Sequence, residues 1–174
     1  KKIIPVVVVL LFSYIFYIIF TQAGISSKTK RVECQAKTTT FEKIFVEKPV
    51  QEALDLFLSN NYEIKSEIKY SKYMKSHLIN ILSKEQADEK LVRMINKYIK
   101  TTTPNDKKVL IDYYVYENDK DDIGKKGPKS KLYAGYLLFE FKLDNTLIYK
   151  IQTDYMDIDA KDIEERMDCA INSF

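Results

Sequence analysis

Leu132–Leu143 (LYAGYLLFEFKL) and Thr146–Tyr155 (TLIYKIQTDY), separated only by Asp144–Asn145, decide the fold. Both runs are dense in aromatic and branched apolar residues, the composition of strands. An Asp-Asn pair between them is short enough for a tight hairpin. Upstream, Val109–Tyr116 (VLIDYYVY) has the same character. It connects through Glu117–Lys131, a charged loop holding Gly124, Gly127 and Pro128. Three strands with such links predict an antiparallel meander.

Working outward, the carboxyl-terminal side predicts a closing helix. Asp159 can cap it, and Asp162, Glu164 and Glu165 put negative charge in the early turns, where the helix dipole favours it. Its apolar face is Ile163, Met167, Ala170, Ile171 and Phe174. On the amino-terminal side, Thr38–Val46 is strand-like, and Pro49 suits the start of a helix whose face is Val50, Ala53, Leu54, Phe57 and Leu58. Asn60–Asn61 ends that helix. Tyr62–Tyr70 (YEIKSEIKY) alternates as a strand does, and residues 71–83 place Met74, Leu78, Ile81 and Leu82 at helical spacing. Ser83 with Gln86 forms a capping-box pattern ahead of a stripe of Ala87, Leu91, Met94, Ile95, Tyr98 and Ile99. TTTPND at 101–106 stops that helix. The expected fold class is therefore α+β, with helices packed on one face of a mainly antiparallel sheet, over residues 38–174.

Residues 1–21 read differently. Ile3–Phe20 (IIPVVVVLLFSYIFYIIF) carries no charge, and a helix of that length spans roughly 27 Å, close to a bilayer's apolar thickness. Ile3, Val6, Leu10, Phe12, Tyr14, Phe16, Tyr17 and Phe20 are its membrane-facing candidates. The apolar run exceeds the usual length of a signal-peptide core, and Thr21 makes cleavage after Ala23 a poor small-x-small site, so a retained signal-anchor is preferred to a cleaved leader. Lys1 and Lys2 lie on one side and Lys28, Lys30 and Arg31 on the other, so the positive-inside count nearly cancels; the short amino terminus favours export of the body. Residues 22–37 read as a polar tether.

Basic and acidic residues number 28 and 25, and they are interleaved, as in KSEIK and KDIEER. Such a balance argues against a nucleic-acid partner, whose affinity needs a concentrated basic surface. Cys34 and Cys169 sit near opposite ends of the body and are expected to pair in an oxidising compartment. Their spacing excludes a CxxC redox site or a CxxC zinc knuckle.

Catalytic, metal-ligating and cofactor-binding motifs are not found in the chain, and no cofactor is expected. The single histidine, His77, would have to serve any Ser–His–Asp or Cys–His site. The cluster Asp119, Asp121, Asp122 ahead of Gly124 fails as an EF-hand, because Ile123 falls where an oxygen ligand is required and Ser130 where the terminal Glu belongs. Asp154, Asp157, Asp159 and Asp162 straddle a strand-to-helix junction, where turn and cap chemistry accounts for them. With only 4 glycines there is little material for a phosphate-cradling loop.

Aromatics crowd the meander: Tyr113, Tyr114, Tyr116, Tyr133, Tyr136, Phe139, Phe141, Tyr149 and Tyr155. Alternation sends them to both faces, and the face turned from the helices is a docking candidate. Tyr114, Tyr116, Tyr133, Phe139, Phe141 and Tyr149 are the expected interface. In its hydrophobic amino terminus (KKIIPVVVVLLFSYIFYIIF), its two widely spaced cysteines and its Lys/Ile/Tyr-rich body, the chain resembles small anchored periplasmic proteins of Gram-negative bacteria with AT-rich genomes. Some of these are accessory subunits of flagellar-motor scaffolds. The resemblance rests on overall character, not on a motif. It implies a single-pass inner-membrane protein with a periplasmic domain, a structural role in motility, and protein partners in a larger envelope complex. The rival expectation is a module that encloses a small ligand or lipid between its sheet and helices.

Overall fold

The Asp144–Asn145 hairpin forms as the sequence predicts. Both residues are left-handed, with φ of 49° and 63°, as the tight primed turns between right-twisted strands require. The structure, a computed structural model, describes residues 30–46, 48–124, 127–128 and 132–174, together with Tyr14. The strands are β1 (Thr40–Ile44), β2 (Tyr62–Lys69), β3 (Val109–Glu117), β4 (Gly135–Leu143) and β5 (Thr146–Tyr155). The helices are α1 (Lys48–Leu58), α2 (Lys84–Ile95) and α3 (Ile163–Ser173).

These strands form one sheet in the order β1-β5-β4-β3-β2. The β3-β4-β5 meander is antiparallel throughout, and β1 adds to β5 antiparallel. β2 departs from that pattern and runs parallel to β3. A parallel neighbour needs a crossover, and the segment carrying α2 supplies it.

Along β3, Val109, Ile111, Tyr113, Val115 and Glu117 are buried, and the residues between them are partly exposed. The register stacks Ile64, Ile111, Phe141 and Tyr149 across the strands, and beside them Ser66, Tyr113, Phe139 and Ile151. Onto these rows pack Ala53, Leu56 and Phe57 of α1, Leu91 and Ile95 of α2, and Ile163, Met167 and Ala170 of α3, as one buried cluster. The Phe174 ring closes it, stacked 4.1 Å from Phe141. Gly135 leaves no room for a Cβ, which would collide with the Tyr116 carbonyl and the Tyr155 ring.

The capping box of α2 is complete: the Ser83 hydroxyl accepts from the Gln86 N–H and the Gln86 side chain accepts from the Ser83 N–H. α1 ends on a left-handed Asn60 (φ 65°). Buried Asn61 then donates to the Ser59 and Thr103 carbonyls and accepts from the Asn105 N–H, tying the irregular segment before β3 to the end of α1.

Two expectations need correction. The tether does not reach Lys37: the compact unit begins at Val32, and Glu33–Lys37 is a 3-10 turn inside it. Buried Gln35 donates to Glu42 at 3.0 Å and to Ser173 at 2.9 Å, which fixes that turn to β1 and α3. Cys34 is bonded to Cys169 of α3, with their Cα atoms 5.7 Å apart. Residues 71–83 are not a helix either; only Leu78–Asn80 makes a 3-10 turn. The expected anchor residues Ile3, Val6, Leu10, Phe12, Phe16, Tyr17 and Phe20 lie outside the described residues; Tyr14 is described and is helical and exposed. Among the described residues, no helix is long and apolar enough to cross a membrane.

Candidate functional site

The sheet face turned from the helices carries a cluster of half-buried tyrosines. Register decides what it carries. Phe139, Phe141 and Tyr149, expected at the interface, are corrected to the core: each is 2% exposed or less. They face the helices because Phe139 pairs with Tyr113 and Ile151, and Phe141 with Ile111 and Tyr149, all on one side of the pleat. Tyr114 and Tyr116 of β3 do lie on the open face, half-buried, and half-buried Tyr133 stands beside its end.

The alternation adds residues that the sequence reading left out. Tyr136 lies opposite Tyr116, and Leu138 opposite Tyr114. Phe41 of β1 lies opposite Gln152 of β5. Counting pleats along β4 separates Tyr136 and Leu138 from Phe139 and Phe141, because residues two apart share a face. Phe41 required knowledge that β1 joins β5.

Three tyrosines form the centre of the patch. The Tyr136 ring stacks on Tyr116 at 4.8 Å and meets Tyr114 edge-on at 5.9 Å. The Lys69 ammonium sits 3.8 Å above the Tyr114 ring. Burial pushes the Tyr136 hydroxyl well above the usual phenol range, and its contact with Tyr114 adds to that shift. Next to this cluster, Thr39, Phe41, Leu132, Tyr133, Gln152, Asp154 and Met156 line a groove of about 480 Å³. Phe41, Leu132 and Met156 stand 65%, 69% and 52% exposed, unusual for such apolar side chains. Asp154 lies at the groove floor, and burial raises its carboxyl above the ordinary range.

A charged ladder bounds the patch. Asp112 bonds Lys65 at 3.3 Å and Lys142 at 2.9 Å, and Glu140 bonds Lys142 and Lys150, each at 2.8 Å. Lys142 and Lys150 hold the Glu140 carboxyl below its usual range. An aromatic centre with a polar, ion-paired border has the composition of a protein interface: apolar in the middle, solvated at the rim.

The remaining candidates resolve into structural devices. The Glu117 carboxylate, 3% exposed, accepts from the N–H groups of Ser71, His77 and Leu78 and from the hydroxyls of Ser71 and Ser76. Asp119 accepts from the N–H groups of Lys72, Tyr73 and Met74. These two acids hold residues 71–78 as a loop. His77 Nε2 lies 3.0 Å from Asp159, with both side chains about half exposed. Ser76, the hydroxyl beside it in sequence, is committed to Glu117 at 2.6 Å, and both cysteines are bonded to each other. Asp162 accepts from the Met156 and Asp157 N–H groups, and Asp157 from that of Asp159, so two of the four acids ahead of α3 organise its entry. Among the described residues, no group of three or more His, Cys, Asp and Glu side chains is placed to hold a metal ion.

Comparison with known proteins leaves the geometry to speak alone: no family model, no curated protein and no solved structure matches this chain.

Proposed function

We propose that this protein is a non-catalytic interaction subunit of a cell-envelope assembly, anchored in the bacterial inner membrane through Ile3–Phe20, whose periplasmic domain docks a protein partner on its open sheet face. The observation that carries this reading is the exposure of Phe41, Leu132 and Met156 beside the Tyr114–Tyr116–Tyr136 cluster. Contiguous exposed apolar and aromatic surface with a polar rim is the usual signature of a protein-binding site. The Cys34–Cys169 pairing agrees with an oxidising compartment. The space between sheet and helices, where a lipid or small ligand would be enclosed, is filled by Tyr113, Phe139, Phe141 and Phe174. The sequence resemblance makes a flagellar-motor scaffold the first assembly to examine.

The test is in-membrane crosslinking and capture of the full chain, comparing the native protein with Phe41→Ala and Tyr136→Ala. Truncating an interface anchor is expected to weaken capture of one defined partner about tenfold or more. Arg93→Ala, in α2 on the helix side of the sheet where it pairs with Glu164 of α3, is expected to leave capture unchanged. Equal capture by all variants would exclude the open face as the docking site. Normal motility and normal envelope complexes after gene deletion would exclude the flagellar version.

A further inference from the structure

We propose that two copies of this chain pair edge to edge through β2, antiparallel, about a two-fold axis at Ser66. β2 is the last strand of the sheet, and among the described residues no strand pairs with its outer side. An open edge offers unpaired backbone donors and acceptors to any other strand. What selects the occupant is the order of charges. Glu63, Lys65, Glu67 and Lys69 alternate in sign along the open face, with side chains 60%, 71%, 65% and 41% exposed.

Centred on Ser66, antiparallel pairing places Glu63 opposite Lys69 of the second copy and Lys65 opposite Glu67, so every charged residue on this edge meets its opposite. On the other side of the pleat Ile64 meets Ile68, and Ser66 meets itself. Centring the axis on Lys65 sets Lys65 against Lys65 and Glu63 against Glu67; centring it on Glu67 sets Glu67 against itself and Lys65 against Lys69. Directly opposed like charges destabilise a strand pair, and opposite charges stabilise it. Axes at Ile64 or Ile68 oppose Glu63 with Lys65, or Glu67 with Lys69, but leave the other two charges unmatched, so EIKSEIK matches all four of its charges only about Ser66, the self-complementarity an isologous two-fold contact needs.

The contacts these side chains already make do not oppose this arrangement. Lys108 reaches Glu63 at 3.1 Å, Asp112 reaches Lys65 at 3.3 Å, and Lys69 lies 3.5 Å from Glu67 and 3.8 Å over the Tyr114 ring. The ion pairs are surface pairs open to a second partner, and the Lys69 side chain stays 41% exposed beside the Tyr114 ring. The resulting dimer has one continuous sheet, with both sets of helices on one side and both aromatic faces on the other. The inference does not rest on the docking reading, although it would double that surface.

The test is sedimentation of the full chain in detergent micelles. The native protein is expected to be dimeric. E63K/E67K, whose edge is all lysine, and K65E/K69E, whose edge is all glutamate, are each expected to dissociate, with the dimer Kd raised roughly 10- to 100-fold. Mixing the two variants is expected to restore a dimer. In an otherwise native edge, E63C mixed with K69C should give a 63–69 intermolecular crosslink, and E63C alone should give none. A monomeric native protein, dimers indifferent to both charge reversals, or the absence of the 63–69 crosslink would each overturn the proposal.

Discussion

Five donors converge on the Glu117 carboxylate at the end of β3: three backbone N–H groups and two serine hydroxyls. Burial by itself would raise this carboxyl, but the hydrogen bonds from Ser71, Ser76, Leu78 and His77 outweigh it and hold the group below its ordinary value of 4.5. Asp119 is lowered for the same reason by the N–H groups of Tyr73, Lys72 and Met74, against its own burial. A carboxyl whose folded value is depressed adds stability that is complete above its unfolded value and disappears as pH falls through the folded one. Stability is therefore expected to decline on acidification below about pH 4.5. Glu117→Gln should cost about 3 kcal/mol at neutral pH, because the amide presents a donor where donors already point. It should also remove part of the acid dependence, leaving the share that belongs to Asp119. Urea titrations of both proteins at pH 7 and pH 4 test this. The acids at the end of β3 are plain in the sequence. Their roles are not, because the donors that residues 71–78 supply to them lie about 40 residues earlier in the chain.

At the scale of elements, the capping box is a local device with a local cost. Ser83→Ala is expected to destabilise the domain by about 1 kcal/mol, with Ser83→Asp close to native. A shift in the urea midpoint without a change in slope would measure it. The same locality made this element legible: Ser83, Gln86 and the stripe Ala87, Leu91, Met94 and Ile95 all lie within one short window. The meander was legible for a similar reason, since the Asp144–Asn145 turn and the alternation of β3 are near-neighbour patterns. Residues 71–83 show the opposite case. Met74, Leu78, Ile81 and Leu82 have helical spacing, yet the N–H groups that would start a helix there are held by Glu117 and Asp119. Tertiary hydrogen bonds outcompete a weak periodic signal when the carboxylates are buried and fully occupied.

For the whole molecule, the Cys34–Cys169 bond joins residues 135 apart and closes most of the domain into one loop. In the chain-entropy account a loop of that size stabilises the fold by about 4–5 kcal/mol. Cys34→Ser with Cys169→Ser is expected to lose most of this, read as a lower urea midpoint than that of the oxidised native protein. The polar contacts of Gln35 with Glu42 and Ser173 should keep the amino-terminal turn in place, so far-UV circular dichroism is expected to change little. The sequence by itself determined the elements and the class of the domain: a meander, a capped helix, a closing helix and a cysteine pair at its two ends. Each is written in residues a few positions apart or, for the cysteines, in there being only two to pair. Only the tertiary structure decided that β2 lies parallel to β3, that Phe139, Phe141 and Tyr149 belong to the core, and that Phe41 and Tyr136 share the open face. Those outcomes depend on the register between strands distant along the chain. A shift of one residue there exchanges the two faces of a strand, and no local pattern carries that information.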